Sequence, residues 1–382
     1  HDRIQEAAYS LLDEEERSKL HYKIGKNSLS KTAKENIQDK IFYIVYHLNK
    51  SVHLIQTVEE RIQLAELNLI AGEKAKNSSA FDSSLIYFKQ AAELLPENAW
   101  IDYYRLTFKI YLNYAESEYL AGDQNNAATL FDVLSHYAQS RLDKAEIYIN
   151  RCLFLTNGGQ YEEAVRLGLE GLKMFGISIP EKPSMLNVIK VMLALKIKLQ
   201  FIKPEDLLQL PWIENPEEIA VIRIFESVTQ AGYYTSRNLV IIGPIILFNF
   251  IIKTGNCYLS SYLFSVLAGI VGPGLGDYKW ANQFYQLSMK LLDKTPEKNA
   301  CSVYFTLAYL YLHWNAHVQE NIVLFRKSYN MFLGLGKFDF AAHSINNIAD
   351  YSFILGKNLD EIFTEYKNYE KFFKNQKDKF FH

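Results

Sequence analysis

Proline is scarce in this chain, and so is anything that announces chemistry. There are 9 Pro in 382 residues, and five of them (Pro180, Pro183, Pro204, Pro211 and Pro216) fall in one stretch. Elsewhere long helices meet few breakers. The 3 Cys (Cys152, Cys257, Cys301) are far apart, odd in number and flanked by apolar residues. That excludes a disulfide framework and any metal-ligand spacing, and predicts buried thiols in a reducing compartment. A cytoplasmic location is the matching expectation. Net charge is −2, from Lys+Arg 41 and Asp+Glu 43. Without a clustered basic excess no nucleic-acid partner is expected. The start shows no signal-peptide pattern and no initiator Met, which suggests a fragment of something longer. The longest apolar run, Leu239–Ile252, contains Gly243-Pro244 and Asn249 and falls short of the ~20 residues a membrane span needs. It reads as a buried central helix, with no membrane span expected.

What the chain has in quantity is apolar and aromatic residues: 49% hydrophobic, Tyr 26, Phe 24. At helical spacing such side chains fill the gaps between stacked helices. A turn pattern recurs, with Gly at a turn and a small residue five positions later. It occurs at Gly122/Ala127, Gly159/Ala164, Gly276/Ala281 and Gly336/Ala341, and in weaker form at Ser79/Ser84. The Gly takes the left-handed conformation that ends one helix, and the Ala lets the next helix lie close. Each hairpin spans about 34–40 residues, the tetratricopeptide period. The fold class predicted is all-α, a superhelical array of tetratricopeptide-like helical hairpins.

Early in the chain, Asp13 and Glu16 predict a capping box opening a helix to about Leu29 that buries Leu20 and Ile24. Ile41, Ile44, Val45 and Leu48 form the stripe of the next helix. Residues 187–201 predict a helix with Val188, Val191, Met192, Leu195 and Leu199 as its stripe. The expected organisation is a helical junction at 1–53, a first repeat half at 54–180, a Pro-punctuated joint at 181–216 and a second half at 217–382.

Each chemical candidate has a blander reading. Gly272-Pro273-Gly274-Leu275-Gly276 lacks a preceding strand and a following Lys-Ser/Thr, so it predicts an interhelical turn and not a phosphate loop. His313 and His317 lie four apart, but no Glu follows the first and no third ligand is evident. Glu14-Glu15-Glu16 suits a helix first turn. The basic, aromatic tail from Lys367 reads as the end of the last helix. No Ser-His-Asp or Cys-His set can be proposed, and no catalytic, cofactor or metal residue is expected.

His1-Asp2-Arg3-Ile4-Gln5-Glu6-Ala7-Ala8-Tyr9-Ser10-Leu11-Leu12 resembles the HDR(I/V)QxAAYSL motif of large bacterial signalling proteins. Leu20-His21-Tyr22-Lys23-Ile24-Gly25, the 41–49 stretch, Glu60–Gly72, Leu94–Trp100 and Leu210–Pro216 are similar to further segments of that family. Those proteins carry a serine/threonine-kinase-like domain, a STAND-class AAA-type ATPase, a long helical region, then often a GAF domain and a histidine kinase. The resemblance implies that this chain is the helical region after the ATPase. It implies a non-catalytic regulatory scaffold that couples partner or effector binding to the upstream module. Its partners would be neighbouring domains and a protein or peptide. It also implies that ATP and its binding residues lie upstream, with no cofactor here. His1, Asp2 and Arg3 would be structural, at the junction with a winged-helix part. The alternative is a free-standing tetratricopeptide-like adaptor, or a bacterial effector binding a host or partner protein.

Overall fold

A computed structural model describes residue 9 and residues 11–78, 80–335 and 337–375. Among them are nineteen α-helices and no named strand. The junction residues His1, Asp2 and Arg3, together with Gly336 and Ser79, lie outside the described residues. The chain divides into two compact units, residues 1–154 and 155–382.

The first unit contains α1 (Glu14–Lys31), α2 (Ile37–Asn49), α3 (Val58–Asn77), α4 (Phe81–Glu93), the short α5 (Ala99–Asp102), α6 (Tyr104–Ala121), α7 (Gln124–Tyr137) and most of α8 (Arg141–Asn157). Each of α1, α2, α3, α4, α6 and α7 packs on the next along that series. Neighbour-on-neighbour packing is the mark of a repeat stack. The capping box at the start of α1 is present: Glu16 N–H donates to Asp13 Oδ1 (2.8 Å) and Asp13 N–H to Glu16 Oε2 (3.2 Å).

The inward face of α1 differs from expectation. Ser18, His21 and Gly25 are buried, whereas Leu20 is 40% exposed and Ile24 is half-buried. A Cβ on Gly25 would sit 2.6 Å from Leu48 Cδ2. The side that carries the glycine is the side that allows α2 to approach, so packing outranks side-chain hydrophobicity here. In α2, Ile41, Ile44, Val45 and Leu48 are buried as expected, and they head the unit's first core cluster. A second cluster joins Phe108, Phe131, Leu134, Ile147 and Phe154.

The second unit contains α9 (Tyr161–Met174), α10 (Met185–Leu199), α11 (Pro204–Gln209), α12 (Pro216–Thr235), α13 (Arg237–Thr254), α14 (Ser260–Leu275), α15 (Tyr278–Leu291), α16 (Glu297–Leu310), α17 (Val318–Gly334), α18 (Phe338–Ile354) and α19 (Leu359–Asn375). Here α9 packs directly on α12, and the series continues through α13, α14 and α15. Then α16 joins α14, and α17, α18 and α19 follow. Residues 181–216, expected as a joint between halves, lie inside this unit. They form a side branch, in which α10 rests on α13 and α11 on α15 while the main series passes from α9 to α12. Proline sets the branch off because it starts helices well and cannot continue them. Pro204 and Pro216 stand at the first turns of α11 and α12.

Glycine is required at Gly255 and at Gly276. Gly255 ends α13 at φ +134, and a Cβ there would collide with the Pro211 carbonyl. The approach is this close because Asn256 N–H donates to Pro211 O (2.7 Å) and Ile213 N–H to Asn256 O (2.9 Å). This contact fastens the Leu210-Pro211-Trp212-Ile213 segment. Gly276 ends α14 at φ +67, after which Asp277 accepts from Trp280 N–H (3.0 Å) and starts α15.

The Gly272–Leu275 stretch, expected as a turn, is instead the last turn of α14, with Pro273 inside the helix. Small residues serve packing there. A Cβ on Gly272 would lie 3.2 Å from Ala281 Cβ, and one on Gly269 would collide with Leu310 Cβ. By length and composition α13 is apolar enough to cross a membrane. Its buried Leu239, Ile242, Ile245, Phe248 and Ile251 pack within the unit, where α10, α12 and α14 surround it.

Candidate interaction surface

Among the described residues, the hairpin glycines read from the sequence, Gly122, Gly159 and Gly276, sit at turns. Gly122 and Gly159 have φ +98 and +75. In each hairpin the residue after the glycine donates back to a carbonyl of the preceding helix, five positions earlier for Asp123 to Glu118 (2.9 Å), Gln160 to Leu155 (2.8 Å) and Lys337 to Phe332 (2.9 Å), and six earlier for Asp277 to Val271 (3.3 Å). The paired alanines Ala127, Ala164, Ala281 and Ala341 are 0–2% exposed. The pairs Gly122/Ala127, Gly159/Ala164 and Gly276/Ala281 each lie at their own turn and are not gathered into one site. Gly176 and Gly356 adopt the same left-handed geometry. The hairpin pattern does not mark them because no small residue follows five positions on; Glu181 and Glu361 stand there.

The chemical candidates resolve into structural roles. Cys152, Cys257 and Cys301 are buried thiols. Burial pushes the Cys152 thiol up to about 12, which keeps it protonated at neutral pH. His317 caps α17, its Nδ1 accepting from Gln319 N–H (3.2 Å), and His313 faces Tyr351 (3.4 Å). The two histidines therefore do not share a helix. Among the described residues no group of three His, Cys, Asp or Glu could hold a metal. Two crevices, one lined by Ile179, Phe225 and Val228 and one by Ile345, Ser352 and Tyr366, each have room for about one water.

Polar side chains tie the first unit together between helices. Lys76 on α3 donates to Asn113 (2.6 Å) and Glu116 (2.7 Å) on α6. Lys26 pairs with Glu60 (2.6 Å) and Lys109 with Glu73 (2.7 Å). Asn49 and Asn68 exchange amide hydrogen bonds at 2.8 and 2.9 Å. His21 and His47 face each other at 2.7 Å between their Nδ1 atoms, with Tyr9 Oη 3.0 Å from His21 Nε2. Burial lowers both imidazoles, and Lys50 lowers His21 further. So close a pair holds at most one shared proton comfortably.

The surface that sequence reasoning did not isolate is the outer side of α10. Val188, Leu195 and Leu199 face inward as expected, but Leu186, Ile189, Leu193 and Ile197 are exposed. The available signal was the composition of the helix, MLNVIKVMLALKIKL, which is apolar on two sides and contains three Lys and no acid. A surface helix normally carries one apolar stripe.

No family model matches this chain. It is 24% identical over 416 residues to Hybrid signal transduction histidine kinase G of Dictyostelium discoideum. That alignment takes in 97% of this chain and 12% of the kinase, so the chain spans a small part of its relative's length. Among solved structures, one titled "Structure of Naa15/Naa10 bound to HypK-THB" aligns over 91% of this chain and 62% of that one, at 12% identity and a TM-score of 0.16. A score that low carries no argument. The all-α, repeat-like fold class rests on the helices and their neighbour-on-neighbour packing.

Proposed function

We propose that this chain is a non-catalytic, helical-repeat region of a larger signalling protein of the histidine-kinase kind. In this reading it regulates by contact. A partner protein or an adjacent domain binds the hairpin stack, and binding biases the state of a nucleotide-binding module encoded upstream. The observation that carries the reading is the likeness along nearly the whole chain to a stretch of a hybrid signal transduction histidine kinase. The architecture supports it, because stacked hairpins offer long surfaces to partners. The STAND-type ATPase and the serine/threonine-kinase-like domain belong to the same proposal and come from the motif resemblance; the cytoplasmic location belongs to it too and comes from the cysteine pattern. A bacterial source has no support from the Dictyostelium relative.

Regulation here needs differential affinity. A ligand that binds the packed and released arrangements equally shifts nothing. The test removes residues 54–376 from the protein that carries them and measures ATP turnover with and without candidate effectors. The expected result is an altered basal rate and a lost response. An unchanged rate and response would remove the regulatory reading.

A further inference from the structure

The side-branch helix α10 has two apolar faces and one basic frame. It begins at a capping box in which Asn187 N–H donates to Ser184 Oγ (3.3 Å) and Ser184 N–H to Asn187 Oδ1 (2.9 Å). Val188, Leu195 and Leu199, at 4%, 1% and 3% exposure, turn toward α13. On the opposite side Leu186, Ile189, Leu193 and Ile197 are 78%, 48%, 53% and 58% exposed, and Phe201 just beyond the helix is 83% exposed. Their spacing is three, four, four and four residues. At about 100° per residue that spacing makes one ridge, some 17 Å long over the helix. By the same rotation Lys190 lies along one edge of the ridge and Lys196 along the other. Among the described residues neither lysine has an ion-pair partner. Lys198, by contrast, is engaged with Asn249 of α13.

We propose that the outer ridge of α10 docks an amphipathic helix of a partner protein, one with acidic residues on both sides of its own apolar stripe. The ridge supplies the apolar seam, and Lys190 and Lys196 stand where flanking charges select a partner helix. A second copy of this chain does not fit, because pairing two such ridges would set lysine against lysine. A lipid surface fits less well than a helix. Its exposed apolar side chains recur at three- and four-residue spacing, the spacing of anchors that seat one helix on another. The proposal deepens the scaffold reading by naming one contact. It can fail alone, since the deletion experiment above does not depend on α10 binding any particular helix.

The test uses the full chain and three probes: a labelled amphipathic peptide with a leucine stripe and glutamate flanks, the same peptide with lysine flanks, and phosphatidylserine-containing vesicles. Binding to the peptides is read by anisotropy and to vesicles by sedimentation. The glutamate-flanked peptide binds, and the lysine-flanked one binds about tenfold more weakly, because attractive flanking pairs become repulsive ones. Leu193→Asp abolishes binding. The side chain is exposed, so circular dichroism and the melting temperature stay unchanged. The double variant Lys190→Glu/Lys196→Glu inverts the peptide preference, a result that loss of folding cannot mimic. Equal binding of the two peptides, or binding indifferent to Leu193→Asp, overturns the proposal. So does vesicle binding lost in Leu193→Asp with no binding of either peptide.

Discussion

The first unit (1–154) and the second (155–382) solve the same problem with different materials. Both stack helical hairpins, and both use glycine where helices come close, as Gly72 does beneath the Phe88 ring and Gly272 beside Ala281. The first unit then spans its helices with polar groups: Lys76 with Glu116, Lys26 with Glu60, and the Asn49–Asn68 and His21–His47 pairs. The second fills its interior with rings. Phe248, Phe264 and Phe284 meet at centroid separations of 5.5–6.3 Å, and all three are fully buried. Its buried hydroxyls bond to backbone, as Ser261 does to Ser288 O (2.8 Å) and Ser328 to Cys301 O (3.0 Å). Polar bridges specify which surfaces meet but add little net free energy. Buried rings add more and tolerate change in salt and pH. The second unit is therefore expected to be the more robust of the two.

The largest effect tests the ring cluster. Phe284→Ala removes a buried ring that touches Phe248, Phe264 and Trp280. Urea unfolding followed by fluorescence should show a loss of about 4 kcal/mol. A loss below about 1 kcal/mol would mean that the site collapses freely and that the rings are not what holds the unit.

A smaller effect tests close approach. Gly269→Ala would place a methyl group against Leu310 Cβ, whereas Gly334→Ala meets nothing within 4 Å. The first should destabilise by about 2 kcal/mol despite alanine's better helix propensity, and the second should change stability by less than about 0.5 kcal/mol. Equal outcomes for the two would show that the helices separate at little cost.

The smallest effect concerns acid and the first unit. His21 and His47 are both lowered from 6.5, first by burial. The unfolded chain therefore binds protons that the folded unit resists. Stability is intact above the unfolded value near 6.5 and declines as pH falls below it. Hydrogen exchange resolved by peptide should show faster opening of α1 and α2 at pH ~5.5 than at pH ~7.5, with a smaller change in α14 and α15. His47→Gln should flatten the response in α1 and α2. An equal acid response in both units would remove the contrast.

Much of the fold was readable along the chain. The Asp13–Glu16 capping box, the stripe on α2 and the Gly–Ala hairpins at 122, 159 and 276 all stand where local rules put them. These signals depend on residues within one or two helical turns. The misreadings share a cause. Leu20 was expected inside and lies outside because Gly25 decided which face α2 could approach. Gly272 and Gly274 read as turn residues, but α14 continues through them because Ala281 and Met192 pack against that last turn. The outer ridge of α10 is not legible in the sequence, since periodicity marks an apolar face without saying whether anything covers it.

The sequence by itself determined an all-α chain, several of its helix starts and stops, and the hairpin as its unit. Those follow from backbone sterics and hydrogen bonds between near neighbours. Only the tertiary structure decided that α9 continues onto α12, that His21 meets His47, and that one side of α10 faces outward. Each of these depends on contacts between residues far apart in the chain. Many pairings satisfy the same local pattern, and close packing of particular small and large side chains selects among them.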